Sequence, residues 1–274
     1  MKDKIKLVVS IIVLIAVILL LGLVGYGIFW RLTDKTIHPE VTFEIENYGT
    51  VKMELYPEYA PNTVANFLKL VQAGYYDGKV VYGKDTMCMY LGRNSEGEID
   101  IPKTSLIFND IEVGSENDFE YSISGEFVAN GFNQNTLRMD KGTISLLRDD
   151  YTQYITTLSE ESYNSGNSQL AIMMTDEANN LNGAYAAFGK ITEGLEIIEK
   201  IYNEAALKAP EVDEETGEEI ANEGIDVFEV YPVIVSAKVD THGEDFGLPQ
   251  VMEAFDYNAY MSEILSSYYT STAE

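Results

Sequence analysis

Two histidines and one cysteine limit the chemistry this sequence can carry. His38 and His242 lie towards opposite ends of the chain, and Cys88 stands between them. A zinc site of the usual composition needs several closely spaced His and Cys ligands, and a Ser-His-acid triad would have to recruit a terminal histidine. Acidic residues are abundant, 45 against 18 basic ones, and they are densest from Pro210 to Asp226. That stretch lacks the alternating Asp/Asn ligands around a central Gly that a calcium loop uses. No metal and no cofactor are expected. The formal charge of −27 would repel phosphates, which excludes nucleic acid as a partner. The 19 tyrosines read first as strand formers and half-buried packing, with a tyrosine-rich binding face as the alternative.

The elements that must position any site begin with an apolar run, Leu7 to Trp30, in which Ser10 is the only clearly polar side chain. A helix of that length spans a hydrocarbon core of roughly 30 Å. The run is longer than a secretory signal's apolar stretch, and it closes on Tyr26, Phe29 and Trp30, aromatics that suit a membrane interface. No cysteine stands directly after it to accept a lipid, the one cysteine being Cys88. Lys2, Lys4 and Lys6 precede it, against Arg31 and Lys35 partly offset by Asp34. The basic excess on the short side predicts a single-pass cell-membrane protein with its N-terminus inside and its main domain extracytoplasmic. Beyond residue 35 the chain holds 13 basic and 43 acidic side chains, a formal charge of −30. That charge reads as solubility near an anionic cell surface, or more sharply as a preference for basic clients or loosely held cations.

Past a linker at residues 31–39, Val41, Phe43 and Ile45 alternate with polar residues, as do Val51, Met53 and Leu55. Asn47-Tyr48-Gly49 supplies the turn of a β-hairpin with one buried face. Pro61 suits a first helical turn, and Val64, Phe67, Leu68 and Val71 follow at helical spacing with Gly74 as a stop, predicting a helix near Pro61–Ala73. A second helix is predicted near Thr192–Asn203, with short strands at Val80–Leu91, Gly142–Leu147, Leu170–Met174, Ala184–Gly189 and Val227–Val239. This is a mainly β pattern, closed or nearly closed into an antiparallel barrel capped by two helices. Insertions are expected near 94–120, 148–167 and 204–226, and residues 241–274 form a tail with an amphipathic helix over Gln250–Tyr268.

The stretch GTVKMELYPEYAPNTVANFLKLVQAGYYDG, Gly49 to Gly78, resembles the opening hairpin and first helix of the cyclophilins, the peptidyl-prolyl cis-trans isomerases. YSISGEF (Tyr121–Phe127), KGTISL (Lys141–Leu146), NSQLAIMMT (Asn167–Thr175) and LNGAYAAFGKITEGLEIIEKI (Leu181–Ile201) resemble later family segments in the family's order. The resemblance covers residues 40–240 and implies a closed cyclophilin-like barrel. Its partners would be proline-containing segments of secreted or unfolded proteins. Rotation about an Xaa-Pro bond faces a barrier near 20 kcal/mol, because the amide nitrogen's lone pair is delocalised. Catalysis needs an apolar pocket for the proline ring and a fixed cationic donor for the twisted amide.

In the family an arginine following a Phe-His pair supplies that donor. Here Val81 and Tyr82 stand at the pair and Gly83 at the arginine. The implied substrate groove comprises Tyr82, Gly83, Cys88, Met89, Leu91, Leu147, Arg148, Gln169, Ala171, Leu181 and Tyr185. Of these only Met89, Gln169 and Leu181 match the family pattern; Cys88 and Ala171 stand where phenylalanines are usual, and Leu91 where a glutamine is. Lys84 adjoins the missing donor, but neighbouring strand residues face opposite ways. Arg148, after GTISLL, is a candidate substitute donor; the alternative is a loop-entry arginine paired with Asp149 or Asp150. Two functions remain open: a weak membrane-anchored isomerase assisting protein folding, or a catalytically inactive peptide-binding module on the same scaffold.

Overall fold

The computed structural model describes residues 13–25, 36–209, 211–212, 219–220 and 224–271. The chain divides into two compact units, residues 1–37 and 38–274. The first contains helix α1, residues 13–25. Among the described residues no helix is long and apolar enough to cross a membrane, and the run Leu7–Trp30 lies partly outside them.

The second unit runs β1 (Glu40–Ile45), β2 (Gly49–Leu55), α2 (Pro61–Gln72), β3 (Val80–Lys84), β4 (Cys88–Arg93), α3 (Thr104–Ile107), β5 (Tyr121–Ser122), β6 (Thr143–Leu146), α4 (Ser159–Tyr163), β7 (Leu170–Met173), β8 (Ala186–Glu193), α5 (Leu195–Glu204), β9 (Glu211–Val212), β10 (Glu219–Ile220), β11 (Asp226–Val227), β12 (Ile234–Asp240), β13 (Met252–Glu253) and α6 (Tyr257–Ser271). Nine strands form one sheet in the order β11-β3-β4-β7-β6-β8-β2-β1-β12. Every pairing in it is antiparallel. The expected closed barrel is corrected here to a curled sheet whose ladder stays open. Its two sides meet through a short run of contacts in place of a ladder: Val80 bridges Val233, the Gly78 and Val81 N–H groups donate to the Ile234 and Pro232 carbonyls at 2.8 and 2.9 Å, and the Ile234 N–H donates to the Lys79 carbonyl at 2.8 Å. Beyond that contact β3 pairs with β11 at Gly83 and Lys84, and β12 pairs along its length with β1.

The core follows the predicted alternation. Val41, Phe43, Ile45, Val51, Met53 and Leu55 are buried, and α2 lays Val64, Phe67, Leu68 and Val71 on them. The Phe67 ring lies 5.2 Å from both Tyr76 and Phe188 and 6.1 Å from Phe43. Helix α2 carries Pro61 in its first turn but has no cap of its own at Ala60. Glu126 supplies one from a distant loop, accepting from the N–H groups of Asn62 at 2.9 Å and Thr63 at 2.7 Å. The second helix starts later than its sequence pattern predicts. Thr192 and Glu193 belong to β8, and Gly194 turns the chain with a φ of 83°. A side chain at Gly194 would also meet the Thr50 carbonyl oxygen at 2.5 Å.

The predicted Val80–Leu91 strand is a hairpin, β3 and β4, because the Asp85 carboxylate turns the chain by accepting from the N–H groups of Met87 and Cys88. The insertions at 94–120 and 148–167 carry the short helices α3 and α4, and much of the acidic 204–226 stretch lies outside the described residues. In the tail, helix α6 begins at Tyr257 rather than Gln250. The residues before it are extended: Gln250 exchanges hydrogen bonds with Asn62, and β13 pairs with β5.

Candidate functional site

The sheet presents opposite faces on alternate residues, and on β4, β6 and β7 this sorting builds a cavity. In register, Cys88 opposes Met173 and Tyr90 opposes Ala171. These four lie on the outer face, whereas Met89 and Leu91 point into the core and are essentially inaccessible. A cavity of 180 Å³ opens on that outer face. Of the expected groove residues, Cys88, Leu147, Ala171, Leu181 and Tyr185 line it. Asp85, Met87, Tyr90, Met139, Ser145 and Met173 complete the wall and were not expected. A sequence signal for Tyr90 and Met173 exists, since each lies two residues beyond an expected groove residue on the same strand. Met139 comes from a loop and has no such signal.

Sulfur and aliphatic groups dominate the cavity. The Cys88 thiol lies 3.9 Å from the Met173 sulfur, and burial pushes it up to a pKa of about 12, with Asp85 adding to the shift. The Tyr90 hydroxyl donates to Asp85 at 2.7 Å, and burial, then Cys88 and Asp85, hold it well above the usual phenol range. Thioethers fill space adaptably and accept apolar guests.

One end of the cavity leads to a polar cluster. Tyr82 stacks on Tyr90 at 6.0 Å between centroids, and its hydroxyl donates to the Gln169 side-chain oxygen at 3.2 Å. The Arg93 guanidinium lies 4.1 Å from the centre of the Tyr82 ring, and its Nε donates to the same oxygen at 3.4 Å. Tyr82 and Gln169 are thus brought together as expected groove residues, and Arg93 joins them although nothing in the sequence pattern marks it.

The other expected residues go elsewhere. Gly83 is covered by strand β11: a Cβ there would lie 2.8 Å from both the Asp226 carbonyl oxygen and an Ile225 methyl. Lys84 donates to the Tyr202 carbonyl and lies 4.7 Å from that ring's centre. Arg148 lies against the rings of Tyr185, Tyr163 and Phe127, at 4.8, 5.1 and 5.6 Å, and donates to the carbonyls of Ala184 and Asp149. His38 bridges Glu54 and Glu58 at 3.0 Å each, and His242 faces Asp240 at 3.5 Å, so neither lines the cavity. Among the described residues no group of three or more His, Cys, Asp or Glu is placed to hold a metal ion. The arrangement suits reversible seating of an apolar ring, with Asp85, Ser145 and the tyrosines as the polar part of the wall.

Comparison with known proteins agrees with this reading of the scaffold. Residues 40–222 match the family profile described as cyclophilin type peptidyl-prolyl cis-trans isomerase/CLD. The chain is 28% identical over 171 residues to peptidyl-prolyl cis-trans isomerase B of Bacillus subtilis, covering 62% of this chain and 96% of that one. A putative bifunctional phosphatase/peptidyl-prolyl cis-trans isomerase of Streptococcus pyogenes is 41% identical over 64 residues, 23% of this chain and 13% of that longer protein. A crystal structure of a Cryptosporidium parvum cyclophilin type peptidyl-prolyl cis-trans isomerase aligns with a TM-score of 0.46 at 21% identity, covering 74% of this chain and 98% of that one. With two thirds of its length matched by the family profile, the chain belongs to the cyclophilin-type peptidyl-prolyl cis-trans isomerase family.

Proposed function

We propose that this protein is a membrane-anchored, extracytoplasmic peptidyl-prolyl isomerase of weak activity that assists the folding of secreted chains. The observation that carries the reading is the apolar cavity on the outer face of β4, β6 and β7, where Cys88, Ala171 and Tyr185 converge. A proline ring seated there loses water, and its amide lies beside the polar wall around Gln169. Weakness follows from the walls: a buried thiol and an alanine replace rigid aromatic surfaces, so the ring is held less firmly and rotation is less well directed. The anchor reading rests on the Leu7–Trp30 run and the three lysines before it.

A second reading, binding without turnover, is favoured by Gly83, where β11 fills the space a donor side chain would need. Titrating the full chain in detergent with an Ala-Pro-containing peptide tests the seat that both readings share. Wild type should bind, and Ala171→Trp, which fills the cavity floor, should abolish binding while the protein stays folded. Unchanged affinity in Ala171→Trp would place the peptide elsewhere.

A further inference from the structure

We propose that the cavity on the outer face of β4, β6 and β7 binds a soft monovalent metal ion, copper(I), between the sulfurs of Cys88 and Met173. Three of the chain's nine methionines and its sole cysteine meet there: Met87, Cys88, Met139 and Met173 are four of the eleven residues in the wall. Thiolate and thioether sulfur select copper(I) over harder ions. The Cys88 thiol and the Met173 sulfur face each other across a cross-strand pair at 3.9 Å. With metal–sulfur bonds of roughly 2.3 Å, as in zinc thiolates, that separation subtends about 115–120° at a shared ion, the opening of a trigonal site. Met139 belongs to the same small buried cluster and supplies the third sulfur, with Met87 packed half-buried beside it.

The main chain holds each of these residues in place. The Asp85 carboxylate accepts from the N–H groups of Met87 and Cys88, and the Met173 carbonyl accepts from the Gly142 N–H at 2.8 Å. The Met139 N–H donates to the Asn182 side-chain oxygen at 2.8 Å. Unbranched thioethers on a fixed backbone can then close on an ion without moving the fold. Charge sets the valence. On binding, the Cys88 S–H bond breaks, a sulfur–metal bond forms and the proton leaves to solvent. One thiolate cancels a single positive charge, so the ion enters an apolar cavity as a neutral complex. A divalent ion would need a second anionic ligand to avoid a buried net charge. Asp85 does not serve as one, since it already accepts from two main-chain N–H groups and the Tyr90 hydroxyl. Among the described residues no group of three or more His, Cys, Asp or Glu offers the ligands that zinc uses. The site stands on its sulfur chemistry and does not require that the cavity turn over proline.

Anaerobic titration of the full chain in detergent with copper(I), against a chromophoric copper(I) chelator, tests this, with silver(I) as the redox-inert probe. Wild type should take one ion per chain from the chelator, show sulfur-to-copper absorption in the near ultraviolet and release one proton. Even an outer-shell partner of a metal ligand is worth roughly 10–100-fold in affinity, so loss of a ligand should cost at least about tenfold. Cys88→Ser and the volume-conserving Met173→Leu should each show that loss, and Met139→Leu a smaller one. Met252→Leu, which removes an exposed thioether on β13, should match wild type, and thermal melts should show every variant folded. The assignment is overturned if the folded wild type takes up no ion, or if Cys88→Ser and Met173→Leu both keep wild-type affinity. Zinc(II) binding at these residues as tightly as copper(I) would overturn it too.

Discussion

Gly83 and Cys88 show how single residues decide what this groove can be. A side chain at Gly83 has nowhere to go, since the Asp226 carbonyl and an Ile225 methyl already occupy its Cβ shell. Grafting the family's donor there as Gly83→Arg should therefore separate β11 from β3, at a cost of about 1–3 kcal/mol for overpacking. Circular dichroism melts should show a lower Tm, and the isomerisation rate should not rise; a faster variant with an unchanged Tm would refute this. Cys88 makes a pH prediction. Its thiol titrates near 12 in the fold against about 9 when exposed, so the folded state holds the proton longer. That contribution to stability is complete below pH 9 and is lost as pH rises towards 12. Melts of wild type and Cys88→Ala should diverge across that window, with wild type losing stability faster as pH rises. Parallel curves would show that the thiol is not shielded. The outer-face positions of Cys88 and Ala171 were legible from sequence because the resemblance aligned them. Arg93 was not, because its partners Tyr82 and Gln169 come from separate strands and meet it only after the sheet curls.

Among the elements, α2 is the clearest case of partial legibility. Pro61 and the apolar spacing from Val64 to Val71 announced the helix, and its bounds came out as expected. Its cap did not, because Glu126 arrives from 64 residues away, and no local pattern encodes that contact. Glu126→Ala would leave the buried Thr63 N–H and the half-buried Asn62 N–H without their acceptor, a loss of roughly 1–3 kcal/mol. In a domain of this size that is a Tm drop of about 2–12 °C. Glu126→Gln, which keeps an acceptor, should lose less. An unchanged melt in Glu126→Ala would mean that water replaces the cap at no cost. The tail was legible only in its apolar content. Its first half is an added strand on β5, and Phe255 meets Tyr151 edge-on at 5.2 Å while Tyr257 stacks on it at 5.4 Å, aromatic pairing that spans a hundred residues of sequence. The open sheet was illegible for a similar reason: alternation specifies strands, whereas the pairing of β11 with β3 joins segments more than a hundred residues apart that alternation does not encode.

At the scale of the whole molecule, charge and the apolar run argue for one arrangement. A domain with a formal charge of −30 stays soluble beside an anionic surface, and the lysines before Leu7 favour retention of the short end inside. Protease added to intact cells should remove residues 36–274, and protection until lysis would reverse the proposed orientation. The central claim is that the cavity between β4, β6 and β7 seats a proline ring and that rotation about the seated bond is accelerated there. It is tested most directly by following the cis-to-trans relaxation of a standard Xaa-Pro peptide with the full chain in detergent. The uncatalysed relaxation takes roughly tens to hundreds of seconds, so even weak catalysis is measurable. The account predicts a rate above background and below that of the Bacillus subtilis relative, vanishing in Ala171→Trp. A rate at background in the folded wild type, or a rate that survives Ala171→Trp, would contradict it.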